Sequence, residues 1–281
     1  GSAFAGADYN DISLFYYSGH GANSNSSDLL GSLCGTGDTY VTPAELRTAL
    51  DAVPGKKIVL LDCCHSGAHI GRSIGSNNTA AFNSAIIAAF APSAVSRSLV
   101  GDDYTVMTAC GQSESSWELH DPDTGDSFSC FSAGLTRGSG YDLPNRKECI
   151  MYADYNGNNN GQTTLNEAYD YAVTVIGEYS EAYGVVQNIQ YYGDLDFVLW
   201  ANGKPSDPSA TATPKPSVTA TPEPDETPEP TESPEPTETP EPTPTPTPDP
   251  NAGEVAYRAL LIGNTYPDTE NELKAPDDNV A

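Results

Sequence analysis

The stretch from Ile58 to Gly67 reads IVLLDCCHSG, and the stretch from Ile12 to Gly21 reads ISLFYYSGHG. Each is a short apolar run that stops abruptly at polar residues and glycine, which is typical of a buried strand leaving a sheet. Helical patterns separate these runs from further apolar runs along the chain. This alternation predicts an α/β domain built on a mostly parallel sheet with crossover helices.

Four apolar runs are predicted to be buried strands, because β-branched and aromatic residues dominate them. They are Ile12–Tyr17, Ile58–Leu61, Tyr104–Ala109 and Phe197–Trp200. Between the first two runs, Thr42 can cap a helix while Glu45 reaches back to the cap backbone. A helix is therefore predicted from Pro43 through Leu50, since proline suits the first helical position. The later predicted helices are Asn83–Phe90, Ser127–Leu135 and Thr164–Glu178.

His20 and Cys64 follow the ends of two predicted strands. In open α/β sheets, the loops that leave the carboxyl ends of parallel strands form the functional crevice, so an imidazole and a thiol are expected to meet there. Such a pair can perform nucleophilic catalysis, because the imidazole withdraws the thiol proton and the thiolate then attacks a carbonyl carbon. The backbone N–H groups of Gly21 and Cys64 are the candidates to hold the resulting oxyanion.

The two motifs together resemble the caspase-like superfamily, especially the metacaspases and bacterial caspase-like peptidases, with clostripain and the gingipains as more distant relatives. The resemblance covers roughly residues 8–201 and includes Val106–Ser115, Gly125–Leu135 and Gln190–Leu199. It implies a caspase-like three-layer sandwich, in which helices flank a mostly parallel central sheet. It also implies a cysteine endopeptidase with His20 and Cys64 as the catalytic pair.

The resemblance further implies a preference for basic substrates. Asp62 matches an acid that helps line the primary specificity pocket in metacaspase-like members, and an acidic pocket selects cationic side chains, so cleavage after Arg or Lys is expected. Ser113 and Glu114 fall in the substrate-side loop of the family, and Asp278 lies near its second pocket acid. Arg97 is the candidate autoprocessing site, because relatives that cleave after basic residues often cut themselves in this region.

An asparagine-rich stretch matches the spacing of a calcium loop. Counting from Asn156, oxygen ligands fall at positions one, three and five, glycine at position six and a carboxylate at position twelve. The candidate ligands are Asn156, Asn158, Asn160 and Glu167. Three amides replace charged ligands, so weak calcium binding is expected, with Asp154 adding charge nearby. A plain polar turn is the alternative, and the peptidase chemistry itself needs no cofactor.

Composition divides the chain into three parts. Residues 203–254 are dominated by Thr, Pro and Glu, which cannot bury a core, so they are predicted to be a disordered linker that spans on the order of 150 Å at full stretch. Residues 1–202 are predicted to be a caspase-like peptidase domain that lacks its first strand. Residues 255–281 resemble the first strand and the helix start of the same fold.

Two explanations of this order are open. The chain is either a piece of a protein with two tandem domains or a permuted domain, and the tandem arrangement is favoured because a long spacer is an unusual permutation joint. In both cases the apolar strand Ala259–Ile262 is predicted to add beside Ile12–Tyr17 and complete the sheet.

Charge and composition exclude several partners. The formal net charge is −27, with 12 basic and 39 acidic residues among 281, so no basic face is expected for nucleic acid. No apolar run approaches the roughly 20 residues of a membrane span. The six cysteines are too few for a disulfide scaffold and form no CxxC zinc pair.

The expected partner is a peptide or protein with a basic residue before the scissile bond. The linker is typical of secreted or cell-surface bacterial proteins.

Plain structural explanations compete with these functional ones. Considered alone, Cys64 is better explained as a buried strand-end thiol or half of a disulfide, and catalysis is favoured only because His20 and both glycine motifs accompany it. The alternative for Asp62 is a carboxylate that caps backbone N–H groups of its loop. Adjacent residues at a strand end point apart, which disfavours a metal site made of Cys63, Cys64, His65 and His69. Two further alternatives are a catalytically silent caspase-fold module for binding or scaffolding within a larger exported protein, and a calcium-stabilised structural domain.

Overall fold

The computed structural model describes residues 2–22, 29–37, 39–70, 103–120, 127–201 and 256–264. The strands in chain order are β1 (Ile12–Ser18), β2 (Leu33–Cys34), β3 (Tyr40–Val41), β4 (Lys56–Asp62), β5 (Tyr104–Thr108), β6 (Glu118–His120), β7 (Ser127–Ser129), β8 (Tyr141–Asp142), β9 (Lys147–Glu148), β10 (Gln162–Thr164), β11 (Gln190–Tyr192), β12 (Val198–Ala201) and β13 (Tyr257–Gly263). The α-helices are α1 (Pro43–Asp51), α2 (Cys130–Ser139), α3 (Tyr152–Asn156) and α4 (Leu165–Tyr183).

A central sheet of five strands has the order β11-β5-β4-β1-β13. The strands β13, β1, β4 and β5 pair in parallel, whereas β11 runs antiparallel to β5 at one edge. The prediction of a mostly parallel sheet is therefore confirmed. The strand from beyond the predicted linker lies beside β1, with Ile12 opposite Tyr257 and Ser18 opposite Gly263.

Helices cover both faces of this sheet. Alternate strand residues such as Phe15 and Val59 share one core cluster with α1, while Tyr16 and Leu60 share a second cluster with α2 and α4 on the opposite face. Side chains that alternate along a strand point to opposite faces, so an almost continuous apolar run is buried on both sides. The observed layers are those of an α/β sandwich, as the sequence predicts.

The helix-start signals act as predicted. Thr42 Oγ1 accepts from Glu45 N at 3.2 Å, and Glu45 Oε2 accepts from Thr42 N at 2.9 Å, which forms a complete capping box for α1. Thr164 and Glu167 form a second capping box for α4, which therefore begins one residue after the predicted start. That helix continues to Tyr183, beyond the predicted end, and stops at Gly184, whose φ of +70° suits glycine.

Two sequence predictions are wrong. The run Phe197–Trp200 was expected to be a buried strand of the main sheet, but β12 is partly exposed and pairs antiparallel with β10 in a separate two-stranded sheet. The predicted helix Ser127–Leu135 begins with strand β7 instead, because Ser129 caps the helix and accepts from Phe131 N at 3.1 Å. The predicted helix Asn83–Phe90 lies outside the described residues.

Across the described part of the chain, no helix combines the length and the apolar composition needed to cross a membrane.

Candidate active site

The loops that carry His20 and Cys64 leave neighbouring strands side by side. Ser18 of β1 pairs with Asp62 of β4, so His20 and Cys64 each lie two residues beyond paired positions. Gly19 N donates to Asp62 O at 3.1 Å just after this pair. A Cβ atom built on Gly21 would lie 1.8 Å from the carbonyl oxygen of Cys64, so the two loops are in direct backbone contact. Only glycine permits this approach.

A short strand supports the His20 loop from the other side. The His20 carbonyl accepts from Tyr17 Oη at 2.9 Å and from Cys34 N at 3.1 Å. Gly21 forms an isolated antiparallel bridge with Leu33, the other residue of β2. His20 and Cys34 are both partly exposed, so this loop borders solvent while hydrogen bonds fix its backbone.

The residues that follow Cys64 fix its loop against the loop after β5. His65 N donates to Glu114 O at 2.9 Å, and His65 Nδ1 donates to Gln112 O at 2.9 Å. Gly67 N donates to Cys110 O at 2.9 Å. The backbone of His65 has a φ of +59°, a left-handed conformation that these contacts stabilise. The His-Ser-Gly motif therefore fixes the backbone that follows Cys64, and His65 makes structural hydrogen bonds.

Cys64 is partly exposed, and its thiol contacts the backbone of the loop after β5. Its Sγ lies 3.7 Å from the carbonyl oxygen of Ser116. By contrast, Cys63 is 1% exposed, and burial raises the pKa of its thiol well above the usual value. Cys63 therefore packs in the core. All six cysteines are free thiols.

Asp62, two residues before Cys64, is buried in a cluster of hydroxyl groups. Its carboxylate accepts from Ser116 Oγ at 2.9 Å and from Ser132 Oγ at 2.6 Å, and Tyr16 Oη lies 3.4 Å away. Burial raises the pKa of this carboxyl, while hydrogen bonds from serine hydroxyls, including Ser129, oppose the rise. Among the described residues, its hydrogen-bond partners are hydroxyls, and no Lys or Arg side chain neutralises it.

The two predicted residues of the substrate-side loop differ in their surroundings. Ser113 is exposed. The carboxylate of Glu114 accepts from Gly111 N at 3.0 Å, from Asn188 Nδ2 at 2.7 Å and from Asn188 N at 3.1 Å. Glu114 therefore ties its loop to the segment that leads into β11.

The sequence reasoning missed Ser116 and Trp117. Ser116 contacts both the Cys64 thiol and the Asp62 carboxylate. The indole of Trp117 is 43% exposed, and its Nε1 donates to Val186 O at 3.1 Å beside the cleft loops. A tryptophan within a polar stretch, next to a strand end of the predicted crevice, was the available signal, because a large exposed aromatic side chain often marks a binding surface.

The asparagine-rich loop is closed by its own backbone. The buried Asp154 carboxylate accepts from Asn160 N at 2.7 Å and from Gly161 N at 3.1 Å. Glu167 Oε1 accepts from Asn158 N at 3.1 Å, while its Oε2 accepts from Thr164 N at 3.0 Å.

The predicted ligands of this loop have different local roles. Asn156 is the last residue of α3, and Asn160 Oδ1 accepts from Gln162 N at 2.9 Å, so this amide stabilises the turn itself. The Oδ1 atom of Asn159 is buried and has no hydrogen-bond partner in the described structure. In the described ranges, no group of three or more His, Cys, Asp or Glu side chains is arranged to hold a metal ion.

Two predicted residues, Arg97 and Asp278, lie outside the described residues. His69, which the sequence disfavours as a metal ligand, is fully buried, and its Nε2 donates to Gly31 O at 2.9 Å. The described part of the chain therefore gives His69 a structural contact.

A comparison with protein-family models matches residues 2–141 to the caspase domain. A search of curated proteins found no significant match. The matched residues contain both strand-end motifs and the loop after β5, and the sheet with helices on both faces agrees with the sandwich that the family implies. The chain therefore belongs to the caspase-like cysteine peptidase family.

Proposed function

We propose that this protein is a cysteine endopeptidase that cleaves after Arg or Lys, with Cys64 as nucleophile and His20 as general base. The observation that carries the proposal is the backbone contact of Gly21 with Cys64, which brings the two loops to one point at the carboxyl ends of β1 and β4. Catalysis by a Cys–His pair requires this proximity, because the proton passes directly between the two side chains.

The proposed reaction has two stages. His20 takes the proton from Cys64 Sγ, and the thiolate attacks the carbonyl carbon before the scissile bond, while the N–H groups of Gly21 and Cys64 stabilise the oxyanion. The imidazolium of His20 then protonates the leaving amine as the C–N bond breaks, which leaves a thioester on Cys64. Water attacks the thioester with His20 as base, and the acid product and the free thiol are released.

The proposed preference for Arg or Lys rests on Asp62. This residue has a buried carboxylate whose described partners are hydroxyls, and Ser116 links it to the backbone that the thiol contacts. A cationic substrate side chain would neutralise that charge, whereas an acidic side chain would be repelled. Ser116 contacts both the carboxylate and the thiol, so binding of a basic side chain and positioning of the scissile carbonyl would be linked.

Turnover of fluorogenic peptides tests this proposal. We expect the chain to cleave peptides with Arg or Lys before the reporter and to leave an Asp peptide intact, and we expect Cys64→Ala and His20→Ala to abolish cleavage. An Arg-chloromethylketone should add covalently to Cys64, which mass spectrometry detects. Folded protein that neither cleaves the peptides nor forms the adduct would contradict the peptidase and favour a binding module.

A charge-matched pair of variants tests the specificity residue. Asp62→Asn should lower kcat/KM for the Arg peptide by about 100-fold, because a buried opposite charge is lost. Asp196→Asn removes the same charge from an exposed position and should leave kcat/KM unchanged. Equal effects of the two variants would contradict the role of Asp62.

We also propose that the asparagine-rich loop binds calcium weakly. Its oxygen donors include Asn156, Asn158 and Glu167, and the unpartnered oxygen of Asn159 supports a cation nearby. Calcium should raise the melting temperature of the wild type and raise that of Glu167→Gln less. Glu45→Gln alters the equivalent capping-box glutamate of α1 and should retain the full response. Identical responses from the two variants would contradict a calcium site here.

Three further features belong to this proposed function. The substrate is a peptide or protein with a basic residue before the scissile bond, and the peptidase acts outside the cell or at its surface. Arg97 is the proposed self-cleavage site, so intact-mass measurement should detect cleavage after Arg97 in the wild type but not in Cys64→Ala. Asp278 is proposed as a second acid of the specificity pocket.

A further inference from the structure

The strand from beyond the linker ends beside the candidate active site. Strand β13 pairs with β1 along its whole length, and Asn264 follows its last residue. Asn264 N donates to Ser18 O at 3.0 Å, and Asn264 Nδ2 donates to Cys34 O at 3.1 Å. One residue therefore bonds both to the end of the strand that leads to His20 and to the short strand that supports the His20 loop.

The contact with Cys34 reaches His20 through one further hydrogen bond. Cys34 N donates to His20 O at 3.1 Å, and Tyr17 Oη lies 2.9 Å from the carbonyl oxygens of both His20 and Cys34. The backbone of Cys34 is thus held between Asn264 on one side and His20 on the other. A shift of Cys34 would move the His20 backbone and hence its imidazole.

The opposite end of β13 fixes the register that brings Asn264 to this position. Asp11 is 2% exposed, accepts from Ala256 N at 2.7 Å and forms an ion pair with the Arg258 guanidinium. A slip by one residue would break both contacts and turn each side chain to the other face of the sheet. The pairing therefore has one favoured register, with Asn264 at the cleft.

We propose that Asn264 is a positioning residue for the His20 loop, so that the segment beyond the linker completes the active site. This inference rests on the proposed peptidase function. Small displacements of a catalytic group are costly, since an error of about 1 Å can lower a rate by about 100-fold. Asn264 acts on the His20 loop through its hydrogen bond to Cys34.

Kinetics of the full chain test the catalytic part of this proposal. Asn264→Ala should lower kcat for the Arg peptide by about 10- to 100-fold with little change in KM, because the substrate contacts stay intact. Asn264→Gln keeps an amide donor and should recover part of the loss. Tyr257→Ser changes an exposed residue at the far end of the same strand and should behave as the wild type.

Hydrogen exchange tests the positioning part without any need for activity. The Cys34 amide, which donates to His20 O, should exchange at least about 10-fold faster in Asn264→Ala than in the wild type or in Tyr257→Ser. The Leu260 amide of β13 should stay protected in all variants. Loss of that protection in Asn264→Ala would assign the defect to strand docking and contradict a specific role of Asn264.

The remaining outcomes separate the two proposals. Unchanged Cys34 exchange in Asn264→Ala, or faster exchange with unchanged kcat, would overturn the inference. A wild-type chain that cleaves no peptide would contradict the proposed function, whereas Cys34 exchange would still decide whether Asn264 holds the loop.

Discussion

At the scale of single residues, two glycines decide how closely the loops of the site approach. A Cβ on Gly21 would lie 1.8 Å from Cys64 O, and one on Gly67 would lie 2.6 Å from Gln112 N. In each case the obstacle is backbone, which cannot rotate away as a side chain can. The glycines of the two motifs are therefore required by contacts between loops.

Gly21→Ala should separate the loops that carry His20 and Cys64. The added methyl group would overlap Cys64 O, so we expect kcat/KM for the Arg peptide to fall by at least about 100-fold, and the free energy of unfolding to fall by about 1–3 kcal/mol. Peptide kinetics and urea denaturation measure the two effects. Gly177→Ala is the control, because a Cβ at Gly177 meets nothing within 4 Å. Wild-type kinetics in Gly21→Ala would refute the close approach.

The buried His69 should make stability depend on pH. Burial lowers the pKa of this imidazole from 6.5 to about 4 in the folded protein. Between these values the unfolded chain binds more protons, so stability is lost as pH falls from about 6.5 to about 4. Relative to His69→Gln, the wild type should lose about 2 kcal/mol of unfolding free energy between pH 7 and pH 5. The measurement is urea denaturation of both proteins across this pH range. If the unfolding free energies of the wild type and of His69→Gln changed equally with pH, His69 would not be the cause of the pH dependence.

At the scale of elements, the candidate catalytic residues follow the ends of two strands, and segments distant in the sequence contact the loops that carry them. The strands β1 and β4 present their carboxyl ends at one edge of the sheet, where the loop after β5 meets them. Strand β13, which follows the predicted linker in the sequence, reaches the same edge of the sheet. At its start the strand is joined to Asp11 by the backbone N–H of Ala256 and by an ion pair with the partly exposed Arg258 side chain.

Arg258→Met should destabilise the chain, since the Asp11 carboxylate loses its cation and keeps only its backbone N–H donors. Asp11→Asn in the same chain removes the orphaned charge and should recover part of that loss. Thermal unfolding of the two single variants and the double variant completes a double-mutant cycle. Strictly additive losses would mean that the two side chains do not interact.

At the scale of the whole molecule, charge sets how the protein responds to salt. The formal net charge of −27 produces self-repulsion in the compact state, and this repulsion is screened as ionic strength rises.

Moderate sodium chloride should therefore raise the melting temperature at pH 7. The effect should shrink near pH 4.1, the isoelectric point of the sequence, because net repulsion is small there. Differential scanning calorimetry at both pH values measures the change. A melting temperature that does not change with salt at pH 7 would show that repulsion among the acidic groups does not lower the stability of the folded protein.

The sequence by itself determined the elements whose signals are local. The apolar runs before His20 and Cys64, and the capping box from Thr42 to Glu45, depend on neighbours a few residues apart, so composition and spacing predict them. The loops at the ends of parallel strands could also be predicted, because topology alone brings them to one edge.

Only the tertiary structure decided the contacts between residues far apart in the chain. These include the pairing of β12 with β10, the bond of Ser116 to Asp62, the tie of Glu114 to Asn188 and the contact of Asn264 with Cys34. No local pattern encodes such contacts, since each depends on where two separate segments lie once both pack on the sheet. The sequence thus supplied the reactive groups and the strands that carry them, and packing supplied the partners that hold them.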